Sequence, residues 1–374
     1  MSTAAAPAPG AEPFVVVRGA GAITRVTLNR PRAINALNRE MAETVIAAVA
    51  EAAGSGSSAI LLDGAGDRGF CGGGDIKAMT GGSPDDAVDF LRAEYRADYA
   101  VATSRVPVVG IMDGITMGGG IGLTGHAALR VVTERSRLAM PETRIGIAPD
   151  VGGHLLLAGA PGRLGELLAA TSGSMTGGDA VALGFADRFV PSSRLPELQE
   201  ALAEGASPED AVRAVVEEPP ASELIEAREW FDPIAERALG GNEASASEDP
   251  AAAALRLIRE LEAAASATGP AAARAADAAR AVRAVCPVSV AVTLAQLDRT
   301  RRLGLGLAEV LADDLRVLGR LLRRPDFAEG VRAQVVDKDG APRWRPTRIE
   351  EIDAAEVAAV LAPLREDEAP LVLP

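Results

Sequence analysis

The sequence predicts an α/β fold, a layered core of short strands and helices followed by a mainly helical C-terminal region. Three observations carry this expectation. Between residues 14 and 190, short apolar or β-branched runs alternate with helical patterns, and strand–strand–helix units recur. Beyond Ser192 the strand signals stop and long Ala/Glu/Arg/Leu stretches take over. The chain has 374 residues, enough for two or three domains and a sizeable core. We therefore expect a disordered Ala/Pro-rich tail at residues 1–13, a core at 14–192 and a helical region at 193–374.

Each element has a local reason. Phe14–Arg18 and Ile23–Leu28 read as β-branched strands around the turn Gly19-Ala20-Gly21. Asn38 is a helix cap for a helix from Arg39 to about Ala53, where Met41, Val45, Ile46 and Val49 recur at helical spacing. Ala59–Asp63 is a short buried strand, Asp85–Ser104 a helix and Val106–Met112 a strand. A helix over about Gly119–Ala127 and a strand over Leu129–Val132 follow. Leu164, Leu167 and Leu168 form one helical face. Thr176 and Asp179 read as a capping box whose helix ends at Gly184, and Phe185–Val190 reads as the closing strand. Helices are then expected at Arg194–Glu218, Ser222–Leu239, Ala251–Ala265 and Pro270–Val285, with loops at Gly240–Pro250 and Thr268–Pro270. Cys286-Pro287 marks a break before a helical stretch to about Arg324.

Composition narrows the partners. The chain is 48% hydrophobic and 24% charged, the range of soluble globular proteins. A formal net charge of −14 argues against nucleic acid and anionic membrane surfaces, so an anionic substrate needs a local basic patch. Two cysteines, Cys71 and Cys286, indicate no disulfide framework and suit a reducing, cytoplasmic setting. Two histidines, His126 and His154, leave little room for a His-based triad or a His-rich metal site, so no metal is expected and both read as structural. The N-terminal stretch has neither signal-peptide nor Arg-rich transit-peptide character, and no apolar run approaches the roughly 20 residues that span a bilayer.

Two glycine-dense stretches carry the chemistry. The first is Gly69-Phe70-Cys71-Gly72-Gly73-Gly74-Asp75-Ile76-Lys77, the second Asp113-Gly114-Ile115-Thr116-Met117-Gly118-Gly119-Gly120-Ile121-Gly122. Glycine turns let a ligand approach the backbone, and N–H groups aimed at one point hold an oxyanion. Glu142, in Met140-Pro141-Glu142-Thr143, and Asp150, before Val151-Gly152-Gly153, follow as candidates for acid–base or nucleophilic work. The bland alternatives are a surface charge for Glu142 and a helix cap for Asp150. Cys71 reads as a packing residue, because no histidine base is near it in sequence.

On these residues the chain resembles the crotonase (enoyl-CoA hydratase/isomerase) superfamily. The motifs are Leu28-Asn29-Arg30-Pro31 through Asn35-Ala36-Leu37, Phe70–Ile76 and Gly114–Gly122. Within it the chain is most similar to the 3-hydroxyisobutyryl-CoA hydrolase branch, by the second glycine loop, Met140–Thr143, Pro149–Gly153, Asp326–Ala333 and Asp337-Lys338-Asp339-Gly340. The resemblance covers about residues 14–350, most weakly at 200–280. It implies a spiral ββα core that binds an acyl-CoA thioester, with the amides of Gly74 and Gly119 as an oxyanion hole. Glu142 stands where crotonases carry an acid–base glutamate. Hydratases place a second glutamate at the position of Gly122, so that pair is broken here. Asp150 stands where hydratases usually have glycine and the hydrolase branch has aspartate. Glu94 matches a substrate-contacting glutamate of that branch, with a helix-surface charge beside Arg92 or Arg96 as its bland alternative. Arg32, Ala33, Gly74, Asp75, Ile76 and Lys77 are implied to border CoA. CoA is then part of the substrate and no separate cofactor is implied; a homo-oligomer is compatible. The expected activity is thioester hydrolysis in valine degradation. A hydratase or isomerase, and a non-catalytic acyl-CoA-binding protein, remain as alternatives.

Overall fold

The computed structural model of the chain describes residues 13–240, 245, 246 and 248–374. The tail expected at 1–13, apart from Pro13, and the middle of the loop expected at Gly240–Pro250 lie outside the described residues.

The chain opens with the antiparallel hairpin β1 (Val15–Ala20) and β2 (Ile23–Leu28). Its turn falls at Gly21-Ala22, one step later than expected, because β1 keeps pairing to Ala20. Asn38 caps α1 (Arg39–Ser55) by accepting the Met41 N–H at 2.9 Å. Met41, Val45, Ala48, Val49 and Ala52 face the core, and each fully buried large aliphatic stabilises by about 1.5–3 kcal/mol. Then come β3 (Ile60–Gly64), α2 (Ile76–Gly81) and α3 (Pro84–Ala102), the last opened by a Ser83–Asp86 capping box. β4 (Val108–Met112), β5 (Ile115–Met117), α4 (Gly119–Gly125), β6 (Leu129–Val132) and β7 (Arg137–Ala139) follow. α5 (Gly153–Gly159), α6 (Leu164–Thr171), β8 (Ser174–Thr176), α7 (Gly177–Ala182) and β9 (Arg188–Phe189) complete the sheets.

Two sheets result. Six strands run in the order β1-β2-β3-β4-β6-β9, parallel after the hairpin, and three run in the order β5-β7-β8. The chain steps from the large sheet to the small one twice, β4 to β5 and β6 to β7, which is the recurring strand–strand unit. The small sheet escaped sequence reading. Its strands are three residues long, too short for an alternation of period two to show, and β5 lies inside the second glycine stretch. The closing strand is likewise two residues rather than six, because only Arg188 and Phe189 reach β6.

The expected helix at Arg194–Glu218 is two helices, α8 (Leu195–Ala203) and α9 (Pro208–Val215), broken at Gly205 (φ 96°) and restarted by the Ser207 cap and Pro208. Both pack with Ile23, Leu61, Val109 and Val131 on one side of the large sheet. α10 (Glu223–Glu226), α11 (Arg228–Leu239), α12 (Pro250–Ala265) and α13 (Pro270–Ala284) lead to α14 (Pro287–Leu303). The stretch expected to run unbroken to Arg324 splits at Gly304 (φ 60°) into α14 and α15 (Leu307–Leu321). α16 (Pro325–Val331), a π turn at Arg332–Val336 and α17 (Ala354–Leu361) end the fold. α14 is buried on every side from Pro287 to Leu297, the sign of a helix inside a bundle. It packs on α5 and α6 while α15 packs on α3, so helices from beyond residue 285 cover the elements that build the site.

Asn35 locks the first glycine loop in place. It is fully buried at φ 53°, accepts the Arg30 N–H at 2.8 Å, and donates to the carbonyls of Ala65 (3.0 Å) and Phe70 (2.9 Å). Asn35→Ala strands those carbonyls and puts an alanine in a left-handed conformation. We expect a loss of about 2–4 kcal/mol in urea unfolding; a loss below about 0.5 kcal/mol would show that the loop holds without it.

Candidate active site

Both glycine loops meet by backbone pairing. Cys71 bridges Thr116, with Cys71 N–H donating to Ile115 O at 3.1 Å and Met117 N–H to Cys71 O at 3.0 Å. Leu37 bridges Gly74 on the other side, through Leu37 N–H to Gly73 O and Asp75 N–H to Leu37 O, both 2.8 Å. Neither pairing uses the Gly74 N–H. Gly119 is the first residue of α4, so its N–H has no partner within the helix. The loops are in close contact: a Cβ on Gly73 would lie 3.8 Å from the Gly119 nitrogen. A Cβ on Gly119 would collide with Glu94 Oε1. Proximity excludes a side chain at Gly119, and a left-handed backbone (φ 100°) disfavours one at Gly73.

A cavity of about 260 Å³ opens at this junction. Gly74, Gly119, Glu94, Glu142, Asp150 and Ile76 all line it. Phe90, Leu91, Met117, Ile145 and Ile147 give it apolar walls, and Gln334 and Val335 reach it from the π turn. Arg32, Ala33, Asp75 and Lys77 do not line it. Arg32, Ala33 and Lys77 are exposed, and Asp75 is engaged locally, pairing with Arg30 at 3.0 Å and accepting the Ala78 N–H that starts α2.

Three carboxylates converge there, none of them on the surface. Glu142 follows β7 and starts a 3₁₀ turn, Glu142–Ile145, that ends at Gly146 (φ 79°). α16 presses on this turn so closely that a Cβ on Gly330 would lie 2.5 Å from Ile145 Cα. Glu142 Oε1 would lie 2.9 Å from a Cβ on Gly118, and Oε2 has no hydrogen-bond partner among the described residues. Burial first, and then Asp150, hold the Glu142 carboxyl well above the usual carboxylate range. Asp150 is raised to about 7 by burial and by Asp314, while the Tyr95 hydroxyl, donating at 2.6 Å to Oδ2, pulls it back. Glu94 is 2% exposed with Oε1 unpartnered, and burial holds it protonated far beyond its usual range. The helix-surface reading of Glu94 therefore fails.

Residues missed in the sequence complete the site. Tyr95 orients Asp150, and Asp98 is fully buried with both oxygens unpartnered. A signal for Glu94 and Asp98 was present. Ala87, Phe90, Leu91, Glu94, Asp98 and Val101 recur at helical spacing, so both acids sit on the apolar stripe of α3. Asp314 lies 164 residues from Asp150 in the chain, and no local pattern joins them. Gly122 is filled space. A Cβ there would lie 2.6 Å from Val151 Cβ and 2.8 Å from Asp98 Oδ2. Cys71 is fully buried, its thiol pushed up to about 12 by burial, which removes it as a nucleophile.

The family profile described as Enoyl-CoA hydratase/isomerase matches residues 23–361. The chain belongs to the enoyl-CoA hydratase/isomerase family. It has the crotonase fold. Among curated members it is similar to "3-hydroxyisobutyryl-CoA hydrolase, mitochondrial" of Gallus gallus, 34% identical over 94% of this chain and 89% of that one. The Homo sapiens protein of the same name is 33% identical over 90% and 86%. Two solved structures of the family superpose with TM-scores of 0.85 and 0.81. They are titled a carnitinyl-CoA dehydratase from Mycobacterium thermoresistibile (36% identical, 96% of this chain, 99% of that one) and an enoyl-CoA hydratase from Rhodobacter sphaeroides (37%, 94% and 98%). The names diverge between hydrolase and hydratase, and side chains in the site have to decide between them.

Asp150 also makes stability depend on pH. Its carboxyl titrates near 7 in the folded chain and near 4 unfolded, so the native state binds the extra proton between those values. This contribution is complete below about pH 4 and is lost as pH rises through about 7. Asp150→Asn keeps the Tyr95 contact and removes the titration. We expect it to stabilise the fold by about 2–4 kcal/mol at pH 8.5 and by little at pH 4. Calorimetric melts across that range check it, and a pH-independent difference would contradict the assignment.

Proposed function

We propose that the chain is an acyl-CoA thioester hydrolase whose substrate is 3-hydroxyisobutyryl-CoA. One observation carries the choice of hydrolysis over hydration. At Gly122, where a hydratase would place its second glutamate, Val151 and the Asp98 carboxyl already fill the space, whereas Asp150 reaches the same cavity as Glu142. The curated relatives named as hydrolases support the same reading.

The chemistry follows from charge. A thioester carbonyl under attack becomes an oxyanion. The unspent amides of Gly74 and Gly119 stabilise it without reorganising, and one such donor is worth about 3–4 kcal/mol of barrier. Glu142 and Asp150 line one buried cavity, and the Asp150 charge helps hold the Glu142 carboxyl in its protonated form. Asp150, which Tyr95 stabilises as the anion, ionises first and accepts the proton that Glu142 must lose. Glu142 then acts in one of two ways. As nucleophile it adds to the carbonyl carbon, the C–S bond breaks, CoA leaves as the thiolate, and water hydrolyses the resulting anhydride. As base it draws the proton from a water that adds directly. Both routes yield free acid and free thiol. Glu94, against the oxyanion glycines, holds the substrate's hydroxyl.

Glu142→Gln keeps size and hydrogen bonding but removes the ionisable group. Thiol release should fall by at least about 10²-fold with acyl-CoA binding retained; activity within a few-fold of the parent would sink the role. Glu94→Ala should damage hydrolysis of 3-hydroxyisobutyryl-CoA more than of isobutyryl-CoA, since a site built around a hydroxyl discriminates strongly by it. Equal losses on both substrates would deny Glu94 the hydroxyl contact. Hydration of crotonyl-CoA without thiol release by the parent protein would instead favour the hydratase names of the solved relatives.

A further inference from the structure

Asp150 is followed by two residues in the left-handed region, Val151 (φ 53°) and Gly152 (φ 74°). A β-branched residue there is a true outlier, costing on the order of 1–2 kcal/mol, so its surroundings must hold it. The hold is on Gly152, from the peptide groups on both sides of its Cα. Its N–H donates to Asp314 Oδ2 at 3.0 Å, and its carbonyl faces His126 Nε2 at 3.2 Å. Burial lowers His126 to about 4, so at neutral pH its uncharged ring donates Nε2–H to that carbonyl. Asp314 Oδ1 lies 2.8 Å from His154 Nε2, off the line of a hydrogen bond, as an ion contact, and both side chains are within 1% of full burial. His154 Nδ1 is 2.9 Å from Thr300 Oγ1. The two histidines of the sequence thus both bear on Gly152, His126 directly and His154 through Asp314.

We propose that Asp314, seated between the Gly152 amide and His154, is the positioning residue for Asp150, and that the Asp314–His154 ion pair sets the charge against which Asp150 exchanges its proton. The pair comes from two places: His154 from α5, Asp314 from α15, with Thr300 of α14 behind the ring. Oδ2 of Asp314 accepts from the amide, and Oδ1 faces His154 Nε2, so the carboxyl is held between a peptide N–H and the ring. Burial alone would lower His154, but Asp314, and behind it Asp313, carry it above its ordinary value; Asp313 itself is paired with Arg299 at 2.6 Å. Burial raises Asp314, and His154 and the Gly152 amide oppose that rise. The groups facing Asp150 are Glu94, Tyr95 and Asp98 from α3, Glu142 from the 3₁₀ turn, His154 and Asp314. Among the charges acting on it, Asp314 is the strongest that raises its carboxyl, and His154 opposes it.

This inference rests on the reading of Asp150 as the proton acceptor in thioester hydrolysis. The signs of the two substitutions are opposite, which a clamp acting only through structure would not produce. Asp314→Asn keeps the acceptor for Gly152 N–H, removes the charge that raises Asp150 and discharges His154, whose opposing effect on Asp150 is the smaller of the two, so the acid limb of the kcat–pH profile for thiol release moves to lower pH. His154→Gln removes the opposing positive charge, so the limb moves to higher pH. Limbs that stay at the parent position, or that move in the same direction, overturn the proposal. In the parent protein ¹⁵N NMR should show two imidazoles at pH 7, His126 neutral and His154 cationic, the His154 signal being the one absent from His154→Gln. A neutral His154 at that pH overturns it without any variant. If the parent releases no thiol, the functional reading fails, and the imidazole titration still decides the ion pair.

Discussion

Desolvation of carboxylates is the constraint around which the rest of the molecule is arranged. Glu94, Asp98, Glu142, Asp150 and Asp314 are all buried near one another. An isolated buried carboxylate is costly unless it is protonated or paired. The fold answers each case differently. Tyr95 and the Gly152 amide donate to Asp150 and Asp314, His154 lies against Asp314, and burial pushes Glu94, Asp98 and Glu142 toward their protonated forms. A site that holds protons at neutral pH while its neighbour ionises has acid and base roles separated by environment alone. A basic pocket would suppress those shifts, and no arginine or lysine side chain forms a salt bridge with Glu94, Glu142 or Asp150 among the described residues.

Close backbone approach is the second requirement. The two loops that present Gly74 and Gly119 are joined by one parallel bridge, Cys71 to Thr116, and Leu37 bridges Gly74 on the other side. Side chains at Gly118, Gly119 or Gly122 would enter space already held by Glu142, Glu94, Val151 or Asp98. The same packing that frees the amides therefore excludes a glutamate at Gly122. Fold likeness to solved hydratases and the proposed carboxylate pair are compatible for that reason: the sheets set the position of the glycine amides, and Val151 and Asp98 fill the space beside Gly122.

Helices beyond residue 285 are part of the site's construction. α16 presses on the turn that carries Glu142, the π turn supplies Gln334 and Val335 to the cavity wall, and α14 and α15 supply the partners of His154. Both sides share one continuous hydrophobic cluster, from Val15 to Val360. Removing these helices would expose the carboxylates to water and erase the shifts described above.

Much of the fold was legible because its causes are local. The Asn38 cap, the Met41–Val49 stripe, the Thr176–Asp179 box and the β2 strand depend on residues a few positions apart. The glycine loops and the acids Glu142, Asp150 and Glu94 were legible by motif. The strands of the small sheet were not, since three residues are too few to show a period. The helix break at Gly205 was blurred by its alanine-rich surroundings, and at Gly304 helical patterns continue on both sides of the glycine. What only the tertiary structure decided is which distant groups meet: Tyr95 and Asp314 on Asp150, Asp98 against Gly122, His154 against Asp314. Those contacts join residues up to 164 positions apart, and periodicity and capping act over a few residues. The acidity of each carboxyl follows from such contacts and from burial, so the sequence by itself names the acids, and their charge states arise only when the chain has folded around them.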